Sequence, residues 1–359
     1  MHPIRTKNSD ADHDSLLSIV LERRSDTPMK QPPAQRVVNA IVVYYSQRER
    51  AGRMSKEPSD KTIVLHLLRG AVPERAEEIS GLWSKYGPAV EVAPNAGGTT
   101  MNANRHRICF DTKTINLFWL LGFSAWKSIE VYSPSLEITL TLGHTIDQAL
   151  QIDEELATFE RDYKERMEAA ASLISAKSTD EITWPPDIPE PTADRDSLVI
   201  PQDKAAFDLT ALALAFVLLH EFSHVKLLAE NAQPDNLPEE ELACDIWARD
   251  FMTAKMADYA KAHGHTYEEV CQKRAMALAV AAIIIRAMTP TAAQWGNSQY
   301  PPLSERIYAI VSSFNLSPDS RFWIFVACLL VGILRKEGRP LDVTGSTPQA
   351  LTEALIARV

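Results

Sequence analysis

Every residue from Leu212 to Leu218 is apolar, and the run leads into His220, Glu221 and His224 within the stretch AFVLLHEFSHVKLL (Ala215 to Leu228). A helix that is apolar all round has no solvated face, so these three polar groups fall where core is expected. Burying a carboxylate with two imidazoles costs several kcal/mol unless something compensates. A metal ion would compensate. The pattern is HExxH: positions i and i+4 share one helix face, so His220 and His224 can both reach an ion at the roughly 2.0 to 2.1 Å of a zinc–nitrogen bond. Glu221, beside them, is placed to take a proton from water activated by that ion.

A second helix is predicted in PDNLPEEELACDIWARDFM, where Asn236 can cap, Pro238 fits the first turn, and Glu239 and Glu240 suit the positive end of the helix dipole. Those two read as decoration of a helix start. Glu241 differs, because Asp245 lies one turn further along the same face. A carboxylate ligand followed by a carboxylate that accepts from a ligand imidazole makes a sensible inner and outer set of metal contacts. Glu241 is therefore the expected third ligand, with ordinary capping and surface charge as the alternative, and Asp245 the expected partner of a ligand histidine. Three protein ligands leave a fourth tetrahedral position for water, as catalysis requires.

A second stabiliser of the developing oxyanion is sought in GNSQYPPLSERIYAI, where Tyr300 and Arg306 offer a phenol and a guanidinium. The alternative is that Pro301 and Pro302 start a helix and Arg306 pairs with a carboxylate. His263 and His265 straddle a glycine past a helix end and read as capping or exposed; His66, His106 and His144 have no companion at ligand spacing.

A formal net charge of -10 gives no reason to seek a phosphate backbone, so nucleic acid is not an expected partner. With 13 glycines and no GxGxxG or Walker pattern, nucleotide chemistry has no support. The four cysteines (Cys109, Cys244, Cys271, Cys328) show no framework spacing and read as reduced core thiols of a cytoplasmic protein. The apolar run Phe322 to Leu334 is shorter than the roughly 18 to 20 residues of a membrane span, and none is expected.

Residues 1–34 read as a flexible leader. Residues 35–145 form an α+β region whose strands are predicted at Lys61 to Leu68, Ala89 to Ala93, His106 to Phe110, Ile129 to Ser133 and Leu136 to Leu142. Residues 146–359 are mostly helical and carry the HExxH helix, forming one continuous unit with 35–145. They begin with one long charged helix (Ile146 to Lys177), followed by a proline-rich acidic loop. The fold class is α+β, a small mixed sheet in the N-terminal half packed on a mostly helical region.

HExxH followed within about twenty residues by ExxxD resembles the gluzincin class of zinc metallopeptidases. This implies a zincin-like catalytic region with zinc held by His220, His224 and Glu241 and with Glu221 as base. Within the class, LLHEFSHVKLL, EEELACDIWARDFM and YPPLSERI resemble the Lit-type phage-exclusion peptidases. The resemblance implies a protein substrate, elongation factor Tu, cleaved during infection. Where that family is expected to have histidine-proline, this chain has Tyr300 and Pro301. The ImmA/IrrE-type peptidases, which cleave repressors, share HExxH but commonly have glycine at the position of Ser223 and asparagine at that of Asp245. A non-catalytic interaction protein retaining a metal site is the rival from another class. The class also implies an edge strand beside the HExxH helix that binds extended substrate, expected at Leu136 to Leu142.

Overall fold

The computed structural model describes residues 59–93, 99–191 and 195–359; the leader expected at residues 1–34 lies outside them. Helix α1 (Asp60–Ala71) is capped by Ser59, whose side chain accepts from the Thr62 N–H, and buries Ile63, Val64, Leu67 and Leu68. Pairs of apolar residues repeating every four positions are the signature of a helix face, so the strand expected at Lys61 to Leu68 is a helix. Its β-branched residues invite the strand reading, but the cap and spacing decide. Helix α2 (Ala76–Tyr86) follows and ends in the left-handed cap Gly87.

The sheet has three strands, β1 (Ala89–Ala93), β2 (Met101–Asn104) and β3 (Arg107–Asp111), in the order β1-β3-β2. β1 runs parallel to β3, with Val90 opposite Ile108, and β2 runs antiparallel to it, with Ala103 opposite Ile108. Two of these strands fall where the sequence places them. β2, in the polar stretch MNAN, carries none of the β-branched enrichment that would mark it.

Helix α3 (Thr112–Leu142) overturns the last two expected strands, Ile129 to Ser133 and Leu136 to Leu142. Asp111 caps it by accepting from the Thr114 N–H at 2.7 Å, and Gly143 ends it in the left-handed region. Pro134 lies inside the helix and looks like a turn in sequence. Burial repeats with helical period through Val131, Tyr132, Ser135, Leu136 and Thr139, while Leu142 is exposed. The apparent alternation of Leu136, Ile138, Leu140 and Leu142 thus has no strand behind it, nor can this segment be the substrate-binding edge.

The long charged helix is two: α4 (Ile146–Ile152) and α5 (Leu156–Ser175), separated where the Asp153 side chain accepts from the Glu155 and Leu156 N–H groups. The proline-rich segment after α5 wraps the surface as expected, tied down by Trp119 Nε1 donating to Pro189 O and by the Arg166–Asp187 pair.

The central rod is α6 (Pro201–Glu230), about 45 Å long at 1.5 Å per residue. Against it pack α3, the sheet, α7 (Leu237–Thr253) and α9 (Tyr267–Met288). α8 (Met256–His263), α10 (Leu303–Val311), α11 (Arg321–Lys336) and α12 (Pro348–Ile356) complete the bundle. Among the described residues α6 is the one helix long and apolar enough to cross a membrane, and 83% of its apolar window is buried within the protein. One contiguous cluster of buried residues runs from Ile63 to Val359. All four cysteines are free and buried. The architecture is α+β, mostly helical with a small mixed sheet in the N-terminal half.

Candidate metal centre

Two helices joined by a short turn build the site. α6 ends at Asn231, whose left-handed backbone (φ 52°) turns the chain back. α7 starts at Asn236, whose side chain accepts from the Glu239 N–H at 3.0 Å, with Pro238 in its first turn. The antiparallel return brings the first turns of α7 alongside the last turns of α6. Phe222 lies 200° around the helix from His220 at 100° per residue and anchors the opposite face. Its ring stacks on Trp83 of α2 at 5.2 Å and on Trp247 of α7 at 6.2 Å. Trp247 in turn meets Phe251, over which the Arg75 guanidinium sits at 3.6 Å. This aromatic column, unmarked in the sequence, ties the N-terminal half to both α6 and α7.

His220, His224 and Glu241 converge as a group able to hold a metal ion. The two Nε2 atoms are 3.2 Å apart, and Glu241 presents Oε2 to His220 and Oε1 to His224, each at 3.4 Å. Ligands about 2.0 to 2.1 Å from a tetrahedral ion stand about 3.3 to 3.4 Å from one another. The donor set therefore fits a small divalent cation, and two imidazole lone pairs this close need a cation or a shared proton between them.

The surrounding charges push the same way. Burial pulls the His220 imidazole down, but Asp245 and Glu241 outweigh it and raise it to about 10. For His224, burial is likewise outweighed, by the neighbouring Cys244 and Glu241, which raise it to about 12. The pocket favours positive charge on or between the two rings. Glu241, despite burial, is held well below the usual carboxylate range by His220, His224 and Arg306. Glu221 is buried and moves the opposite way: desolvation raises its carboxyl, as suits a group that takes and returns a proton.

Behind His220, His224 and Glu241 stands an outer layer. Nδ1 of His220 lies 2.8 Å from Asp245 Oδ1, an ion-pair approach bent away from a straight hydrogen bond. Nδ1 of His224 is 2.7 Å from Glu240 Oε1. Arg306 grips Asp245 with Nε at 2.7 Å and Nη2 at 2.8 Å, and its Nη1 is 3.2 Å from Glu241 Oε2. Three of its five N–H groups thus serve two carboxylates, which makes Arg306 a holder of the outer layer. This is the pairing weighed as the alternative to a contact with the oxyanion.

Arg306 is delivered by a tight turn before α10. Gly296 adopts φ 87° there, and a Cβ on it would lie 2.9 Å from Pro302 Cδ. Tyr300 belongs to the same turn: its backbone N–H donates to Asn297 Oδ1 at 2.8 Å, and its carbonyl accepts from the Asn297 N–H at 2.8 Å. The structure ties Tyr300 to this turn, and its phenol makes no hydrogen bond to the ligands. Glu240 corrects the sequence reading. Instead of decorating a helix start it is buried against His224, while Glu239 is exposed. Its position four residues after the cap hides that role.

Residues 108–326 match the family described as Peptidase U49. The chain belongs to the peptidase U49 family. The matched residues of this U49 peptidase include the HExxH stretch, Glu241, Asp245 and Arg306. Comparison of this U49 peptidase with curated proteins and with solved structures returned no match.

Proposed function

We infer that the protein is a zinc-dependent endopeptidase. The observation that carries this is the spacing of 3.2, 3.4 and 3.4 Å among His220, His224 and Glu241, with buried Glu221 next to them. His220, His224 and Glu241 would hold a zinc ion, which would supply Lewis acidity for water and for a peptide carbonyl. Glu221 takes the proton of the attacking water and delivers it to the departing amine, which its raised affinity for protons favours. Asp245 stands behind the His220 imidazole, and Arg306 keeps Asp245 and Glu241 charged and in place.

The substrate is a specific host protein cleaved in phage defence. The resemblance of LLHEFSHVKLL, EEELACDIWARDFM and YPPLSERI to the Lit-type peptidases favours elongation factor Tu. Support for this target comes from sequence alone, and membership in a peptidase family is consistent with it.

The test is Glu221→Gln. The variant should fold, keep about one zinc per chain and lose at least about 100-fold in activity, the lower end of what a general base contributes. Proteomes of cells expressing wild type and variant should differ by one truncated protein. A fragment of elongation factor Tu supports the reading, and a cut repressor transfers it to the ImmA-like peptidases. Full biological effect from Glu221→Gln would leave a binding module in place of an enzyme.

A further inference from the structure

Glu240 is the one acidic residue of the cluster that the hydrolytic mechanism does not require. It sits in the first turns of α7, where Asn236 already supplies the cap and exposed Glu239 already meets the helix dipole. Its side chain is nevertheless turned inward, the residue 9% exposed, with Oε1 2.7 Å from Nδ1 of His224. A carboxylate can only accept, so Nδ1 carries a proton and Nε2 is the ring atom turned toward His220 and Glu241, where its lone pair would meet a bound cation. Asp245 approaches Nδ1 of His220 at 2.8 Å without a hydrogen bond and is clamped by Arg306 through two bonds. No basic side chain pairs with Glu240 among the described residues, so its hydrogen-bonding capacity is directed at His224 alone.

We propose that Glu240 is a positioning residue of the metal centre. Its carboxylate fixes the tautomer and rotation of the His224 ring and so tightens the hold on a divalent cation. This rests on His220, His224 and Glu241 being the ligands. Loss of such an outer partner typically costs 10- to 100-fold in metal affinity.

The experiment uses the full chain and two readouts: zinc affinity by competition with a chromophoric chelator, and the visible absorption of the cobalt-loaded protein. Glu240→Ala should bind zinc about 10- to 100-fold more weakly and shift the cobalt spectrum. Glu240→Gln, whose amide oxygen can still accept from Nδ1–H, should keep the spectrum and recover most of the affinity. Glu239→Ala should match wild type. Wild-type affinity and spectrum in Glu240→Ala would overturn the proposal, as would a Gln variant no better than Ala. Wild type that takes up no ion, or His224→Ala with undiminished affinity, would instead remove the ligand assignment itself.

Discussion

Arg306 carries more of the site than its distance from HExxH in the chain suggests. It is buried, and its guanidinium is raised above its ordinary range because Asp245 and Glu241 outweigh the burial that would lower it. Removing it strands a buried carboxylate. Arg306→Ala should therefore lose about 3 to 5 kcal/mol of stability by urea unfolding, as broken buried pairs do. Adding Asp245→Asn should restore part of that, whereas two independent losses that simply sum would show that the pair is not coupled. The convergence of His220 and His224 was legible in the sequence because i, i+4 spacing puts both imidazoles on one face of an apolar helix. Glu241 and Asp245 were legible by the same one-turn logic. Glu240 was not, since an acid near a helix start has an adequate local explanation, and only the approach of α6 supplies the other one. Arg306 was visible as a residue, but which carboxylates it meets depends on how α10 docks.

At the scale of elements, the contact between α3 and α6 sets how deeply the HExxH helix is seated. Gly122 of α3 faces Thr210 of α6 so closely that a Cβ would lie 2.0 Å from Thr210 Oγ1 and 2.8 Å from its Cβ. Gly122→Ala should cost about 1 to 3 kcal/mol by overpacking, measured as a lowered denaturation midpoint. Gly122→Ala combined with Thr210→Ala should regain part of the loss, since the nearest clashing atom is gone. An unchanged midpoint in the single variant would mean the helices separate freely. This interface also shows why α3 misreads as strands. Pro134 and its flanking serines imitate a turn, and β-branched residues on either side imitate strands. Burial between α5, α6 and α11 overrides those local preferences. β1 and β3 were readable because their apolar residues are bounded by turn residues, while β2 exists only through its pairing with β3.

Across the whole molecule, surface-linked charges brace the rod as well as the core does. Asp208, near the start of α6, meets Arg195 from the wrapping loop at 2.7 Å and Lys273 of α9 at 2.9 Å. Burial alone would raise its carboxyl, but Lys273 and Arg195 prevail and hold it below its ordinary value. A depressed carboxyl contributes stability that is complete above its unfolded value of about 3.9 and drains away as pH falls below it. Asp208→Asn should accordingly be less stable than wild type by about 1 to 3 kcal/mol at pH 7. Unfolding at pH 3.5 should show that gap narrowing; a gap that is constant with pH would assign the effect to packing. The turn at Gly296 has a different reach. Because it launches α10 and hence Arg306, Gly296→Ala would slacken the grip on Asp245 and Glu241 without altering any side chain of the cluster itself. A lesion at Gly296 thus weakens the His220–His224–Glu241 cluster from a position that an inspection confined to its own side chains would pass over.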